Sequence, residues 1–226
     1  MYESLEEALG IQFQDPTLLQ MALTHRSYIY ETSGDGLNSN ERLEFLGDSI
    51  LAFISADYLY RSYPDLNEGE LSDLRAALVR GETLANFAQD IKLGNFLLMG
   101  KGEQSSGGSQ RLLASAFEAV LGAVYLDQGL EAVQRFLMPW LEPLASRIVS
   151  KRLFKDPKSL FQELAQAQDS ITPSYRLVHQ EGPSHNREFT VEVLLGEKVA
   201  GKGKGRNKQA AEQEAARAAL HSRGWI

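Results

Sequence analysis

The hydrophobic period changes once along this chain, and that change sets the broad architecture. From the N-terminus to about residue 150, apolar side chains recur every three to four positions, as amphipathic helices require. After Lys151 a period of two appears: Phe189, Val191, Val193 and Leu195 alternate with Thr190, Glu192 and Leu194, the spacing of a strand with one covered face. The pattern predicts an all-α unit over 1–148, a charged linker over 149–156, and a small α+β unit over 157–226 in the order αβββα.

Turn and cap signals divide the first unit. Asp15-Pro16-Thr17 opens a helix expected to run to about Tyr30. Ser39 or Asn40 caps a long helix to about Arg61, stopped by Tyr63-Pro64-Asp65. Further helices are expected over Asn67–Val79, Glu82–Lys92, Arg111–Leu126 and Leu130–Ser150, with a flexible loop over Gly100–Gln110. In the second unit a helix is expected over Pro157–Gln168. Strands follow over Tyr175–Gln180, Arg187–Leu195 and Lys198–Gly201, then an Ala-rich helix from Asn207 to Leu220.

Charge separates the same two units. Residues 1–150 hold 21 Asp and Glu against 10 Lys and Arg, whereas residues 151–226 hold 9 against 13. An acidic body with a basic tail predicts two different partners, a polyanion for the tail. The chain has no cysteine, which excludes disulfides, thiolate-bound zinc and thiol catalysis and fits a reducing compartment such as the cytoplasm. No apolar run reaches the ~18 residues of a membrane span. Residues 1–10 carry Glu3, Glu6 and Glu7 without a Lys or Arg, unlike a secretory leader.

The segment Asn40-Glu41-Arg42-Leu43-Glu44-Phe45-Leu46-Gly47-Asp48-Ser49-Ile50-Leu51 carries the most chemistry. On a helix, Glu41, Glu44 and Asp48 fall within about 60° of one another. Leu43, Leu46, Ile50 and Ile54 form the main apolar stripe, yet Phe45 and Leu51 flank the acids. The helix is thus apolar nearly all round and is expected to be buried, acids included. Clustered carboxylates in such a place need pairing, protonation or a cation. A solvated acidic face is one reading. A hard-cation site is the other, for which oxygen-only ligands suit Mg²⁺ or Mn²⁺. Glu118, alone on the apolar helix Leu112–Ala123, is a candidate to complete the cluster. His25 is expected to be packed and hydrogen-bonded rather than catalytic.

These residues resemble the signature of the ribonuclease III family. The supporting segments are Thr24-His25-Arg26-Ser27, Glu68-Gly69-Glu70-Leu71-Ser72 with Leu74-Arg75, and Ala116-Phe117-Glu118-Ala119 followed by Gly122-Ala123 and Tyr125-Leu126-Asp127. The resemblance implies a Mg²⁺-dependent endonuclease, with Mn²⁺ able to substitute and no organic cofactor. It would cut double-stranded RNA to 5′-phosphate and 3′-hydroxyl ends and process structured precursors such as ribosomal RNA. It implies metal ligation by Glu44, Asp48 and Glu118, with Asp48 and Glu118 catalytic and Glu41 and Glu68 as accessory acids. It also implies a homodimer packed through Phe45. One departure stands out: Ser115 occupies a metal-binding position where the family has Asp, so a neutral hydroxyl, able to ligate the ion weakly or to hold a bound water, replaces a charge. That substitution leaves a second reading open, a double-stranded-RNA-binding protein that cleaves weakly or not at all.

Residues 157–224 resemble the double-stranded-RNA-binding domain. The resemblance implies RNA contacts by Ser159, Gln162 and Glu163 on the first helix, by His185 in the Gly182-Pro183-Ser184-His185 loop, and by Lys204, Arg206 and Lys208 before the last helix. Recognition of that kind follows A-form shape rather than base sequence. Gln209 and Glu212 stand where the family usually has lysines, and Lys202, Lys204 and Arg206 are expected to compensate from a loop.

Overall fold

The computed structural model describes residues 2–32, 38–105, 109–150, 156–183 and 187–226. They form two compact units, Met1–Arg147 and Ile148–Ile226.

The first unit is built on α8 (Gln110–Gln128). Ala116, Phe117, Ala119, Val120, Leu121, Ala123 and Val124 are all fully buried, so this helix is apolar on every side but one. Around it pack α2 (Pro16–Leu23), α4 (Glu41–Ser62) and α6 (Gly81–Asp90). On α9 (Leu130–Ser150), Phe136 and Trp140 join Phe87 and Phe117 in one aromatic cluster, with ring centroids 4.9–6.0 Å apart. The unit also contains α1 (Glu3–Leu9), α3 (Arg26–Thr32), α5 (Glu68–Leu78) and α7 (Lys101–Ser105), with a short 3-10 turn at Leu93–Phe96. Helix α5 is capped as its sequence predicts, with Asn67 and Glu70 forming a reciprocal capping box. Among the described residues no helix is long and apolar enough to cross a membrane.

The helix expected over residues 16–30 is two helices. At Thr24 the backbone becomes extended (φ −95°, ψ 104°) and pairs with Leu98. His25 N–H donates to the Leu98 carbonyl (2.9 Å), Leu98 N–H to the Leu23 carbonyl (2.8 Å), and Asn40 N–H to the Thr24 carbonyl (2.9 Å). These tertiary bonds replace the helical ones that periodicity alone predicts. The Gly100–Gln110 segment likewise contains a short helix, α7, rather than loop throughout.

The start of α2 is tied to the end of α8 by one carboxylate. Asp127 accepts the backbone N–H of Gln14 (2.9 Å) and of Asp15 (2.8 Å). Burial opposes its charge, but these bonds and one from Gln128 hold its carboxyl below the usual range. Asp127→Ala is expected to cost about 1 kcal/mol at pH 7, read as a melting temperature lower by a few degrees. Because the folded pKa is depressed, this contribution is present above the ordinary carboxyl pKa. It is lost as pH falls through the lower folded value.

The second unit is an antiparallel sheet in the order β1 (Ser174–Glu181), β2 (Glu188–Leu195), β3 (Lys198–Gly205). It packs on α11 (Lys208–Ser222), and α10 (Pro157–Asp169) packs on α11 in turn. Strand β3 runs four residues past the expected end at Gly201. Gly201, Gly203 and Gly205 alternate with Lys202 and Lys204, and the three glycines lie against α11. A methyl added to Gly201 would stand 2.6 Å from Ala219 N, and one on Gly203 2.5 Å from Ala211 O. Strand and helix touch backbone to backbone, which explains both the glycine alternation and the alanines Ala211, Ala215 and Ala219. Lys202 and Lys204 are therefore strand residues on the opposite face, not loop residues.

Candidate active site

Helices α4 and α8 cross at two glycines. A methyl on Gly47 would stand 2.6 Å from the carbonyl carbon of Glu118, and closer still to its oxygen. One on Gly122 would stand 3.1 Å from the carbonyl carbon of Leu43, again closer to the oxygen. No other residue permits this approach. Asp48 follows Gly47 directly, and Glu44 lies one turn before it, so the crossing carries both acids up to Glu118.

The electrostatics register that convergence. The Glu118 carboxyl is pushed up to about 7, first by burial, then by the charges of Asp48 and Glu44. Glu44 and Glu118 are half-buried, while Asp48 is exposed. The donor set is oxygen-only and anionic, drawn from two rigid helices, which fits a hard divalent cation. Among the described residues no group of three or more His, Asp or Glu side chains is placed so that it could hold a metal ion.

Arg111, Ser115 and Glu118 follow one another at i, i+4 and i+7 on the same face of α8. Ser115 is half-buried and, with Glu44, lines a polar cavity of about 480 Å³. Glu41 lines it too. It is exposed, accepts a hydrogen bond from Ser39 Oγ (2.9 Å) and pairs with Arg26 (3.3 Å). Glu68 lies elsewhere in the single chain, on a groove it shares with Phe53, Tyr60 and Arg75, and accepts a bond from Ser72 Oγ (3.1 Å). His25 is half-buried and hydrogen-bonded, its Nδ1 2.7 Å from Ser27 Oγ, and its ring lines the same cavity as Ser115 and Glu44.

The expectation that α4 is buried all round is not met. Leu43, Ile50, Leu51 and Ile54 are buried, but Phe45 is 77% exposed, Tyr60 75% and Phe53 55%. Packing on α8 covers only one side of α4, so the remaining apolar side faces outward. Nor does Asn40 cap α4 through its side chain. Its Nδ2 donates instead to the carbonyl of Ala22 (3.3 Å), fixing the helix start to the core.

In the second unit Ser159, Gln162 and Glu163 are exposed on one face of α10 and line a shallow groove with Gln166. His185 lies outside the described residues. Several of the tail's cations are internally paired: Lys204 with Glu188 (2.5 Å), Arg176 with Glu192 (2.8 Å) and Lys158 with Glu212 (2.5 Å). Arg206 and Lys208 are exposed and, among the described residues, form no ion pair. Asn207 caps α11 by accepting from Ala210 N–H (2.8 Å), which sets Lys208 at the helix start.

Comparison with known proteins agrees with both units. Residues 15–144 match the ribonuclease-III-like family profile, and residues 157–222 match that of the double-stranded RNA binding motif. The chain is 50% identical over 222 residues to ribonuclease 3 of Roseiflexus sp. (strain RS-1), covering 96% of this chain and 94% of that one. It is 44% identical over 228 residues to ribonuclease 3 of Caldanaerobacter subterraneus subsp. tengcongensis, covering all of both. The nuclease domain of ribonuclease III from Campylobacter jejuni superposes with a TM-score of 0.58 at 37% identity, over 63% of this chain and 97% of that chain. With its helical unit and its RNA-binding motif both matched, the chain belongs to the ribonuclease III family.

Proposed function

We propose that this chain is an endoribonuclease that hydrolyses phosphodiester bonds in double-stranded RNA, with Glu44, Asp48 and Glu118 holding Mg²⁺, or Mn²⁺ in its place. The close backbone contact of α4 and α8 at Gly47 and Gly122, with the Glu118 carboxyl pushed up by burial and by the Asp48 and Glu44 charges, supports the reading. When bound, the cation supplies a Lewis acid that lowers the pKa of water and offsets charge on the phosphate. The residues of the chain hold and orient. Gly47 and Gly122 fix the helix spacing, Glu44 and Asp48 present carboxylates one turn apart, and Glu118 faces them across the gap. Ser115 offers a neutral hydroxyl beside them. Asp48 and Glu118 are assigned as the catalytic pair, with Glu41 as an accessory acid beside the cavity. Glu68 is assigned the same accessory role, although it lies apart in the single chain.

The assembly proposed is a homodimer. The exposed Phe45, Phe53 and Tyr60 and the neighbouring apolar groove of about 570 Å³ support it. So does the Campylobacter jejuni structure, which concerns a region involved in dimer formation in that protein. We assign 1–148 to the nuclease domain, 149–156 to a linker and 157–226 to the RNA-binding domain, with structured precursor RNAs in the cytoplasm, ribosomal precursors among them, as substrates.

Arg206 and Lys208, exposed and without an ion pair among the described residues, are assigned to phosphate contacts. Lys208→Ala is expected to weaken binding to long double-stranded RNA about equally for all sequences. It should reduce the slope of log affinity against log salt by roughly one. Lys204→Ala should do less, since Lys204 already pairs with Glu188. Binding isotherms at several salt concentrations decide this.

The activity is tested by incubating the full chain with long double-stranded RNA and Mg²⁺. Shortening of the RNA to 5′-phosphate ends is expected. A mobility shift without shortening would overturn the nuclease assignment and leave an RNA-binding protein.

A further inference from the structure

The polar cavity beside the carboxylates contains a cation that the mechanism above does not use. Three acids and two arginines line it. Glu41 is taken by Arg26 at 3.3 Å, Glu44 belongs to the carboxylate cluster, and Glu103 has an interaction of its own. Arg111 is exposed and, among the described residues, has no carboxylate partner. It stands one turn from Ser115 and two from Glu118 on the same face of α8, so its guanidinium and the Glu118 carboxylate serve one stretch of surface.

A second donor lines the same space. Gly100 N–H donates to Ser27 Oγ (2.9 Å), so the Ser27 hydroxyl proton is free to go to His25 Nδ1 (2.7 Å). The His25 ring is thereby set with its proton on Nε2, a donor without a protein partner among the described residues. An unpaired guanidinium and an oriented imidazole N–H, beside the place assigned to the scissile phosphate, make a site for a second phosphate oxygen set.

We propose that this cavity holds the phosphodiester next to the one cut, with Arg111 as its main binding residue and His25 Nε2–H as a supporting donor. The proposal rests on the nuclease reading. Arg111 acts on binding and register of the strand, not on bond cleavage. Its loss should raise KM about tenfold and leave kcat within about twofold.

The test pairs protein and RNA changes. Short RNA duplexes carrying a single neutral methylphosphonate at successive positions on either side of the cut are given to the full chain and to Arg111→Ala, with Arg111→Lys as the charge-retaining control. At one flanking position the modification should cost the unaltered chain about tenfold in kcat/KM. Arg111→Ala should cost about the same on unmodified RNA, and the two together little more than either, with Arg111→Lys between. Costs that multiply at every flanking position, or an unchanged KM for Arg111→Ala, overturn the proposal. The same cycle read as dissociation constants, with Ca²⁺ in place of Mg²⁺, decides the subsite even if the unaltered chain leaves RNA uncut, a result that would overturn the nuclease reading separately. Matching thermal melts of the three proteins separate a local effect from misfolding.

Discussion

Gly47→Ala is expected to destabilise the nuclease unit by about 2–3 kcal/mol and to cut the cleavage rate by about a hundredfold or more. In most exposed helix positions this change helps, because alanine favours helix by about 1 kcal/mol over glycine. Here the added methyl meets backbone, the carbonyl of Glu118, which cannot rotate away as a side chain could. Helix α4 must move off α8, and the movement separates Asp48 and Glu44 from Glu118. Stability and activity therefore fall together. Thermal unfolding and single-turnover cleavage measure the two effects. An alanine variant that melts at the original temperature and cuts at the original rate would show that the crossing does not set the carboxylate spacing. Gly122→Ala, whose methyl meets the carbonyl of Leu43, should behave in the same way.

Glu118→Gln is expected to separate stability from activity, in opposite directions. Cleavage should fall at least about a thousandfold, because a neutral amide cannot take the place of an anionic ligand. Without divalent cations, however, the variant should be the more stable protein at pH 8. Glu118 has its folded pKa raised to about 7 by burial and by the Asp48 and Glu44 charges. Its neutral form therefore contributes stability that is fully present below the ordinary carboxyl pKa and lost as pH rises through about 7. After allowance for solvent screening of a half-exposed group, the cost of ionising it is about 1–2 kcal/mol. The unaltered chain should lose several degrees of melting temperature between pH 5 and pH 8, relative to the glutamine variant. Added Mg²⁺ should restore the loss in the unaltered chain alone. Equal pH dependence in the two proteins would mean that Glu118 does not feel its neighbours.

What could be read from the sequence follows from how local the determining physics is. The period change near residue 151 separates helices from strands because side-chain direction is a local property. The cap at Asp15 and the capping box of Asn67 and Glu70 are equally local. The break at Thr24 was not legible, since its cause is a bridge to Leu98, far along the chain. The full length of β3 was available in principle: Gly201, Gly203 and Gly205 alternate with lysines, but glycine carries no hydrophobic signal, so the period of two is easily missed. The exposure of Phe45 and Tyr60 contradicts a buried α4 because periodicity cannot say whether an apolar stripe finds a partner within its own chain. The carboxylate triad came from residue type and family resemblance. Its convergence depends on Gly47 and Gly122, whose meaning appears only when the two helices are seen to cross. Arg111 carries no motif, and only the cavity singles it out.

The most direct measurement is a crystal of the full chain soaked in Mn²⁺, with anomalous scattering recorded above the manganese edge. The account predicts a peak between α4 and α8, about 2.0–2.3 Å from carboxylate oxygens of Glu44, Asp48 and Glu118. A peak bound to other residues, or none at that crossing at saturating Mn²⁺, would contradict it.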